Sequence, residues 1–577
     1  MAEYHNPQHE PGTERRLLLV FALTFLVIIL FQPLLKKYGP QPPAEPPKSQ
    51  NTAVTTQAPA ETTTSATPVP ASAASTKASS ETETVIENGL YRITFTNRGA
   101  QVKSWILKNY DDDKGQPLEL INGAASAKFG LPLSLWAYDE TLRNKVNSSL
   151  YVASSTGTVN APAEVTFEYA DRDVTVVKKI RFDHSYVIHV ETALRNGNGE
   201  MAAFPMWPAG LGDELSPSSY AAGSLEYQYN DKVERLAIKK ISGGNTLGGP
   251  FHWSGVVDRY FAAIFLPDDP QSSTMVTLRN SLDVPKDAQK PNPQDTTKVD
   301  VLGAAVGNLH GPTEERIFVG PKSLQVLESV SVAGIPDHPD LRQLVNFGFF
   351  GIIARPLFLW LKWTFTWIHN WGWAIVIQTL IINVALLPLR ISQMKSMLKM
   401  QRVAPQIKSI QEKYKKYSMR DPRKQEMQQE ISAVYKEHGV NPVGGCLPLI
   451  IQMPFLFAYY SMLGSALDLR HATWLWIRDL SSPDPWHLLP IGIIITMFLT
   501  QRMTPQAGMD PAQQKMMAFM MPVMLGVISW NLAAGLCLYW SEGNIIAIVQ
   551  QAIMNRTSLG REMREMMEKR ARKKRDT

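Results

Sequence analysis

Residues 440–463 read VNPVGGCLPLIIQMPFLFAYYSML, and this stretch decides the fold class of the chain. It contains no charged side chain and is long enough to cross a hydrocarbon core of about 30 Å as a helix. Its polar Gln452 is expensive in lipid unless it faces a bundle interior or a cavity. The stretch therefore predicts one span of a multi-pass α-helical membrane protein.

Other apolar runs lie on both sides of this stretch. Together they predict six transmembrane helices, at residues 17–35, 371–388, 443–466, 488–502, 516–530 and 535–554. A cleaved signal peptide is the alternative for the first run, but no small-x-small cleavage site follows it. Residues 341–370 are rich in Phe, Leu and Trp yet are interrupted by Arg355 and Lys362, which is typical of an interfacial amphipathic helix.

Charge is segregated along the chain. Residues 87–340 carry 24 Lys/Arg and 31 Asp/Glu, whereas residues 341–577 carry 28 and 14. This contrast suggests two sides of a membrane rather than one nucleic-acid-binding surface, so DNA is not a predicted partner.

The short basic segments set the predicted orientation. Residues 389–442 hold 12 Lys/Arg against 5 Asp/Glu, and residues 555–577 hold 9 against 4, so both are predicted to be cytoplasmic. Six crossings then place both termini in the cytoplasm, together with residues 1–16 and the loop at 503–515. The acidic middle region and the loop at 467–487 are then predicted to lie on the outer side of the membrane, which is the periplasm in a bacterium with two membranes.

Two regions outside the membrane have distinct textures. Residues 36–84 are rich in Pro, Ala and Thr with few large apolar side chains, which is typical of a flexible linker. Residues 85–340 instead show period-two alternation, as in Val165, Phe167 and Tyr169, which predicts a large antiparallel β-sandwich. The sequence shows no metal-ligand spacing or nucleophile elbow there, so neither a metal site nor catalysis is predicted.

The cytoplasmic segment at residues 389–442 has a helical pattern. Its apolar residues follow helical spacing in two groups, Val403, Ile407, Ile410 and Tyr414, then Met427, Ile431 and Val434. Residues 418–422 separate the groups, so we predict a helical hairpin. Its charges form a solvated face or contact anionic lipid headgroups or ribosomal RNA.

Several motifs resemble one known family. The motif residues are Asn441, Pro442, Gly444, Gly445, Cys446 and Pro448, then Gln452, Met453 and Pro454, then Asp510, Pro511, Gln513, Gln514, Lys515, Met521 and Pro522, and finally Leu538, Tyr539, Trp540, Asn544, Gln550 and Gln551. Their order and spacing resemble the YidC membrane insertases, relatives of the mitochondrial Oxa and chloroplast Alb proteins. The large insert after the first predicted helix matches the Gram-negative branch.

The resemblance implies a membrane protein insertase and chaperone. Such a protein moves hydrophobic segments of newly made proteins from the cytoplasm into the inner membrane, alone or with the Sec translocon. Five helices surround a polar groove that is open to the cytoplasm and to lipid, and the sandwich is similar to sugar-mutarotase folds. The implied partners are nascent clients, membrane lipids, and the ribosome through the hairpin and the basic tail.

The candidate groove residues are polar side chains within the predicted spans. They are Thr379 and Asn383, Gln452, and Trp540 and Asn544, with Arg390 as a possible cytoplasmic mouth. Family members commonly carry an arginine where Asn383 aligns. The alternative for these side chains is interhelical hydrogen bonding, worth about 0.6 kcal/mol on average. The sequence contains no Gly-x-x-x-x-Gly-Lys phosphate loop, so no cofactor and no nucleotide hydrolysis are predicted.

A transporter and an envelope enzyme are the two alternative protein classes. A transporter needs pathway charges and usually repeated halves, whereas the only clear mid-span acid here is Glu542 and no internal repeat is visible. An envelope enzyme would need a catalytic site in the sandwich. Insertion of small membrane proteins, solute uptake and periplasmic sugar chemistry are the activities that separate these three classes.

Overall fold

The computed structural model describes residues 75–230, 232–236, 238–287, 292, 294–335, 340–417, 421–440, 447–503, 511–558, 560–562 and 565. Of residues 447–452 and 511–517 it describes only the backbone. Outside the described residues lie the predicted N-terminal segment at 1–16, the predicted helix at 17–35, most of the linker at 36–84, residues 504–510 of the loop at 503–515, and most of the tail at 555–577.

The N-terminal half of the described chain is rich in β-strands. In chain order they are β1 Glu83–Glu87, β2 Tyr91–Thr96, β3 Gln101–Asp111, β4 Pro117–Glu119, β5 Ser134–Trp136, β6 Val152–Ala153, β7 Gly157–Asn160, β8 Ala163–Asp171, β9 Val174–Phe182, β10 Val187–Asn196, β11 Gly199–Met201, β12 Phe204–Trp207, β13 Ser224–Tyr229, β14 Lys232–Leu236, β15 Asn245–Gly248, β16 Trp253–Val257, β17 Phe261–Pro267, β18 Ser273–Pro285, β19 Thr296–Asn308 and β20 Thr313–Pro321. Strand β1 begins two residues before the predicted start of the sandwich.

These strands form three sheets. The orders are β4-β3-β2-β1-β7, then β14-β13-β16-β17-β20-β10-β9-β8-β6 with β11 beside β10, and β15-β18-β19-β12-β5. Neighbouring strands are antiparallel except β1 and β7, which are parallel. Buried and more exposed side chains alternate along the strands, as the sequence predicts. In β9, Val176, Ile180 and Phe182 are buried between exposed or half-buried neighbours. The sheets thus enclose a sandwich-like core that includes Trp105, Trp207 and Trp253.

Helices dominate the C-terminal half of the described chain. In order, the helices are α1 Gly123–Phe129, α2 Glu140–Ser148, α3 Pro217–Tyr220 and α4 Leu324–Glu328 within the β-rich region, then α5 Gly351–Ile368, α6 Trp371–Ala385, α7 Leu387–Lys413, α8 Arg423–Glu437, α9 Leu447–Ser465, α10 Leu488–Met503, α11 Pro511–Ser529 and α12 Ala534–Arg556. Helix α5 lies within the predicted interfacial segment, and α6 and α9 to α12 lie at the remaining predicted spans.

None of the described helices is by itself both long enough and apolar enough to cross a membrane. Helices α6 and α7 reach that length and apolar composition together, as a pair bent by 49°. Pro388 stands in the first turn of α7, where it lacks an N–H for the preceding turn, and it accounts for the break.

Helices α7 and α8 pack against each other through an apolar cluster of Val403, Ile407 and Ile431, with Val440 beyond α8. A polar contact at its edge joins Glu430 to Lys413 at 2.8 Å. Residues 418–420, at the predicted break between the helices, lie outside the described residues.

Candidate functional site in the helical region

Helix α6 carries the first two candidate groove residues. Asn370 caps the helix, because its side chain accepts a hydrogen bond from the Trp373 N–H at 3.1 Å. Thr379 and Asn383 lie one turn apart and are 0% and 4% exposed. Thr379 Oγ1 donates to the Ile375 carbonyl at 2.7 Å, and Asn383 Nδ2 donates to the Thr379 carbonyl at 2.9 Å. The Asn383 carboxamide oxygen therefore remains available to another element.

Arg390 supplies the partner for that oxygen. Its Nη2 donates to Asn383 Oδ1 at 3.2 Å, across the bend between α6 and α7. From α12, Gln550 Nε2 donates to the Asn383 backbone carbonyl, also at 3.2 Å. Sequence spacing separates Asn383 and Arg390 by about 10.5 Å along a straight helix. The bend and the length of the arginine side chain instead join them in one polar group.

The remaining sequence-predicted residues are placed differently. Asn544 donates from Nδ2 to Thr496 Oγ1 at 3.2 Å, which links α12 to α10. Trp540 is half-buried and packs against the apolar cluster of the helical region. Gln452 lies in α9, but its side chain is outside the described part of the structure. The described contacts therefore bring Thr379, Asn383 and Arg390 together and leave Asn544 in an interhelical hydrogen bond.

Sequence reasoning missed a second polar link beside Thr379. Gln378 is completely buried, and its Nε2 donates to the Leu357 carbonyl of α5 at 2.9 Å. Its Oε1 accepts from the Tyr459 hydroxyl of α9 at 2.5 Å. The Tyr459 ring stacks on Tyr539 of α12, with centroids 4.0 Å apart. A glutamine adjacent to Thr379 in an apolar helix is the signal that could have revealed this contact.

Glu542 of α12 also points into this part of the bundle. The Glu542 carboxylate lies near the hydroxyl groups of Thr379 and Tyr459. The polar side chains of α6, α7, α9 and α12 thus offer amide, hydroxyl, guanidinium and carboxylate groups inside a bundle. The neighbouring outward positions of α6 are apolar, since Leu380, Ile381 and Val384 are exposed. Such an arrangement can receive polar groups while its outer surface suits lipid.

A second cluster of charges is buried in the β-rich region. Burial raises the pKa of Asp213 well above its ordinary value, and the neighbouring carboxylate of Asp258 adds to the rise. Burial also raises the pKa of Glu214 and lowers that of Lys322, whose ammonium donates to the Asp258 carbonyl at 2.8 Å. Arg470 opposes the rise at Asp213. The cluster therefore combines carboxylates of the β-rich region with a cation from the loop between α9 and α10.

That loop contacts the β-rich half of the chain. The Arg470 side chain is 11% exposed, with its guanidinium 5.5 Å from the ring centroids of Tyr260 and Phe261. Arg470 Nη2 also lies 3.9 Å from Asp113 Oδ1. Leu467, three residues earlier, belongs to the apolar core of the β-rich region. The end of α9 is consequently attached to the β-rich region by both charge and apolar packing.

Comparisons with known proteins match both halves of the chain. The family described as "60Kd inner membrane protein" matches residues 363–561, and the family described as "YidC periplasmic domain" matches residues 83–360. These matches define the class as an inner membrane protein with a periplasmic domain.

Individual relatives narrow that class. A membrane protein insertase YidC from Syntrophus aciditrophicus (strain SB) is 31% identical over 578 residues, covering 94% of this chain and 99% of that protein. A second, from Helicobacter pylori (strain J99), is 31% identical and covers 74% of this chain and 72% of that protein. The crystal structure of an active YidC insertase with the first transmembrane domain resolved is 20% identical, covers 84% of this chain and 95% of its own, and has a TM-score of 0.34. This chain belongs to the YidC family of membrane protein insertases.

Proposed function

We propose that this protein moves hydrophobic segments of newly made proteins from the cytoplasm into the inner membrane through a polar groove. The groove is centred on Thr379, Asn383 and Arg390, and it is extended by Gln452, Trp540 and Asn544. Acting alone or with the Sec translocon, the protein also serves as a chaperone for the inserted segments. It is not an enzyme and uses no cofactor.

One observation carries this proposal. Asn383 accepts hydrogen bonds from Arg390 of α7 and from Gln550 of α12, so polar groups of three helices meet at one buried residue. Hydrogen bonding between helices explains such contacts in any membrane protein. Hydrogen bonding between helices does not require a guanidinium and a carboxylate in the same bundle. Charged groups within membrane helices usually line a pathway or a cavity.

Insertion of an apolar client helix is favourable without nucleotide hydrolysis. An apolar client helix of about 20 residues gains several kcal/mol on entering lipid, at roughly −0.3 to −0.6 kcal/mol per strongly apolar residue. The obstacle is the client's polar flank, since a charge at the bilayer centre costs about 2.5 to 3.5 kcal/mol on the insertion scale. A polar groove lowers that barrier, and the client then passes sideways into lipid.

The surrounding segments receive roles that fit their surfaces. Helix α5 lies in the membrane interface, where Ile352 and Trp367, 85% and 73% exposed, contact lipid. The predicted hairpin at residues 389–442 and the basic tail at 555–577 contact the ribosome. With the predicted helix at 17–35, the chain crosses the membrane six times. Both termini are then cytoplasmic, and the β-rich region is periplasmic.

Insertion into liposomes tests the proposal. Purified full-length protein is reconstituted without nucleotide, and a single-span client is added as it is synthesised. We expect protease-protected client to exceed the amount in protein-free liposomes. Asn383→Leu should reduce it, whereas Leu380→Ala, on an exposed position of the same helix, should not. Equal protection with and without the protein would contradict the proposed function.

A further inference from the structure

We propose that Glu542 makes the groove selective for client segments whose translocated flank carries lysine or arginine. The inference rests on the proposed function and names the class of client that the groove prefers.

Glu542 is an acidic residue in a set of helices that is otherwise without acidic residues. Helices α6 and α9 to α12 contain no other Asp or Glu in their sequences. Glu542 lies in the first half of α12, two residues after Trp540 and well inside the helix. A carboxyl group at such a position is expensive unless it has a partner or water, so chance placement on a lipid-facing surface is disfavoured.

The contacts of Glu542 are incomplete. The Thr379 hydroxyl lies near the carboxylate but donates its proton to the Ile375 carbonyl. In the described part of the chain, Oε2 of Glu542 is shielded from solvent and has no hydrogen-bond partner. Thr379 and Tyr459 beside it are uncharged hydroxyl groups and fully buried. The described structure thus holds a carboxylate without a counter-charge, and a proton or an external cation can serve as one.

Arg390 is the cation that we assign to the groove, and its described hydrogen bond is with another residue. Its guanidinium donates to Asn383, which also holds Gln550 of α12. Gly543, the residue after Glu542, lies beside Asn383, because a Cβ there would be 4.0 Å from Asn383 Nδ2. Thr379, near Glu542, precedes Asn383 by four residues, so about 6 Å of helix separates the level of the carboxylate from that of the arginine contact. A client flank that enters from the cytoplasm meets the guanidinium first and the carboxylate deeper in the bundle.

This order of charges predicts a preference. A client ammonium or guanidinium that passes Arg390 meets a carboxylate that lacks a partner, and a charge-assisted hydrogen bond forms where both groups are desolvated. A client carboxylate at the same depth meets a like charge, or one of the two carboxyl groups must take up a proton, and both are unfavourable. Uncharged flanks gain or lose little. Selectivity therefore depends on the sign of the flank charge rather than on the apolar segment.

The experiment uses full-length protein in liposomes and three clients that differ at one residue of the translocated flank, which is Lys, Gln or Asp. We expect Glu542→Gln to lower insertion of the Lys client by at least about fivefold. The Gln client should be unchanged, and the Asp client should not fall. Glu542→Asp keeps the carboxylate and should retain the preference for Lys. Glu168→Gln, which removes an exposed carboxylate of the β-rich region, is the matched control.

The outcomes separate this inference from the proposed function. Failure of the parent protein to insert the Gln client would contradict the proposed function itself. Insertion of the Gln client, with the Lys client unaffected by Glu542→Gln, would overturn only the role of Glu542. An equal loss for all three clients would also overturn it, because it would show that the side chain acts on folding instead of on client charge.

Discussion

At the residue scale, Lys178 shows how a charged side chain is held inside the β-rich region. It occupies an inward position of β9, and its ammonium donates to the carbonyls of Gly99, Ala100 and Leu133 at 2.7, 3.0 and 2.8 Å. Burial lowers the pKa of Lys178 to about 7. Two loops are thus joined to β9 by one side chain whose protonation is coupled to folding.

That coupling predicts a pH dependence. Between pH 7 and the ordinary lysine pKa of 10.5, the unfolded chain binds the proton and the folded chain does not. The free energy of unfolding should therefore rise with pH across this window, by at most about 1.4 kcal/mol per pH unit. Lys178→Met should lack this rise. Urea unfolding of the full-length protein in detergent, followed by tryptophan fluorescence from pH 7 to 10, measures the difference.

The matched control for this prediction is the next residue. Lys179 is half-buried at the surface and pairs with Glu164 at 3.5 Å. The free energy of unfolding of Lys179→Met should change with pH as that of the parent does between pH 7 and 10. Parallel curves for Lys178→Met as well would show that the proton on Lys178 is not linked to folding.

At the element scale, the contact between α6 and α7 predicts coupling between two residues. Because Arg390 donates to Asn383, each single substitution removes the same contact. Asn383→Leu and Arg390→Ala should together slow client insertion less than the sum of their separate effects, with a coupling of about 0.5 to 1.5 kcal/mol. Insertion rates of the parent, the two single variants and the double variant in liposomes measure this coupling. Asn383→Leu paired with Arg402→Ala, farther along α7, should be additive, and additivity in both pairs would refute the coupling.

Close packing at the start of α6 gives a second element-scale prediction. A Cβ on Gly372 would clash with the Trp474 side chain, which lies in the loop between α9 and α10 and contacts Trp373. Gly372→Ala should therefore displace this loop and lower the free energy of unfolding by about 1 to 3 kcal/mol. Thermal unfolding in detergent is the measurement. At Gly464 in α9 a Cβ meets open space, so Gly464→Ala should be neutral or slightly stabilising, and equal behaviour of both variants would contradict this packing.

At the scale of the whole molecule, Arg470 attaches the helical region to the β-rich region. Arg470→Ala leaves Asp213 without the cation that opposes its raised pKa, and it removes the contacts with Tyr260 and Phe261. We expect the β-rich region to be released several-fold faster by limited proteolysis of the intact protein. Arg478→Ala, at an exposed position of the same loop, should cleave like the parent. Identical cleavage of both variants would place the attachment elsewhere, for instance in the packing of Leu467.

Much of the architecture could be predicted from local pattern. Alternation in residues 85–340 predicted strands because side chains of a strand point to opposite faces every second residue. The motifs around Asn441 and Trp540 identified the family, and the one-turn spacing of Thr379 and Asn383 placed both on one face of α6. These features depend on residues that are close in sequence, so periodicity and spacing contain them.

Tertiary structure alone decided which polar groups meet. Arg390 reaches Asn383 because the chain bends between α6 and α7, and a straight-helix spacing does not contain that bend. Gln378 binds Tyr459, which is 81 residues away, and Arg470 lies in a charge cluster whose carboxylates come from the other half of the chain. Local sequence pattern was sufficient to predict the strands of the β-rich region and the family. The partners of the buried polar groups depend on long-range packing, because hydrogen bonds and ion pairs act over a few ångströms in space, whatever the separation along the chain.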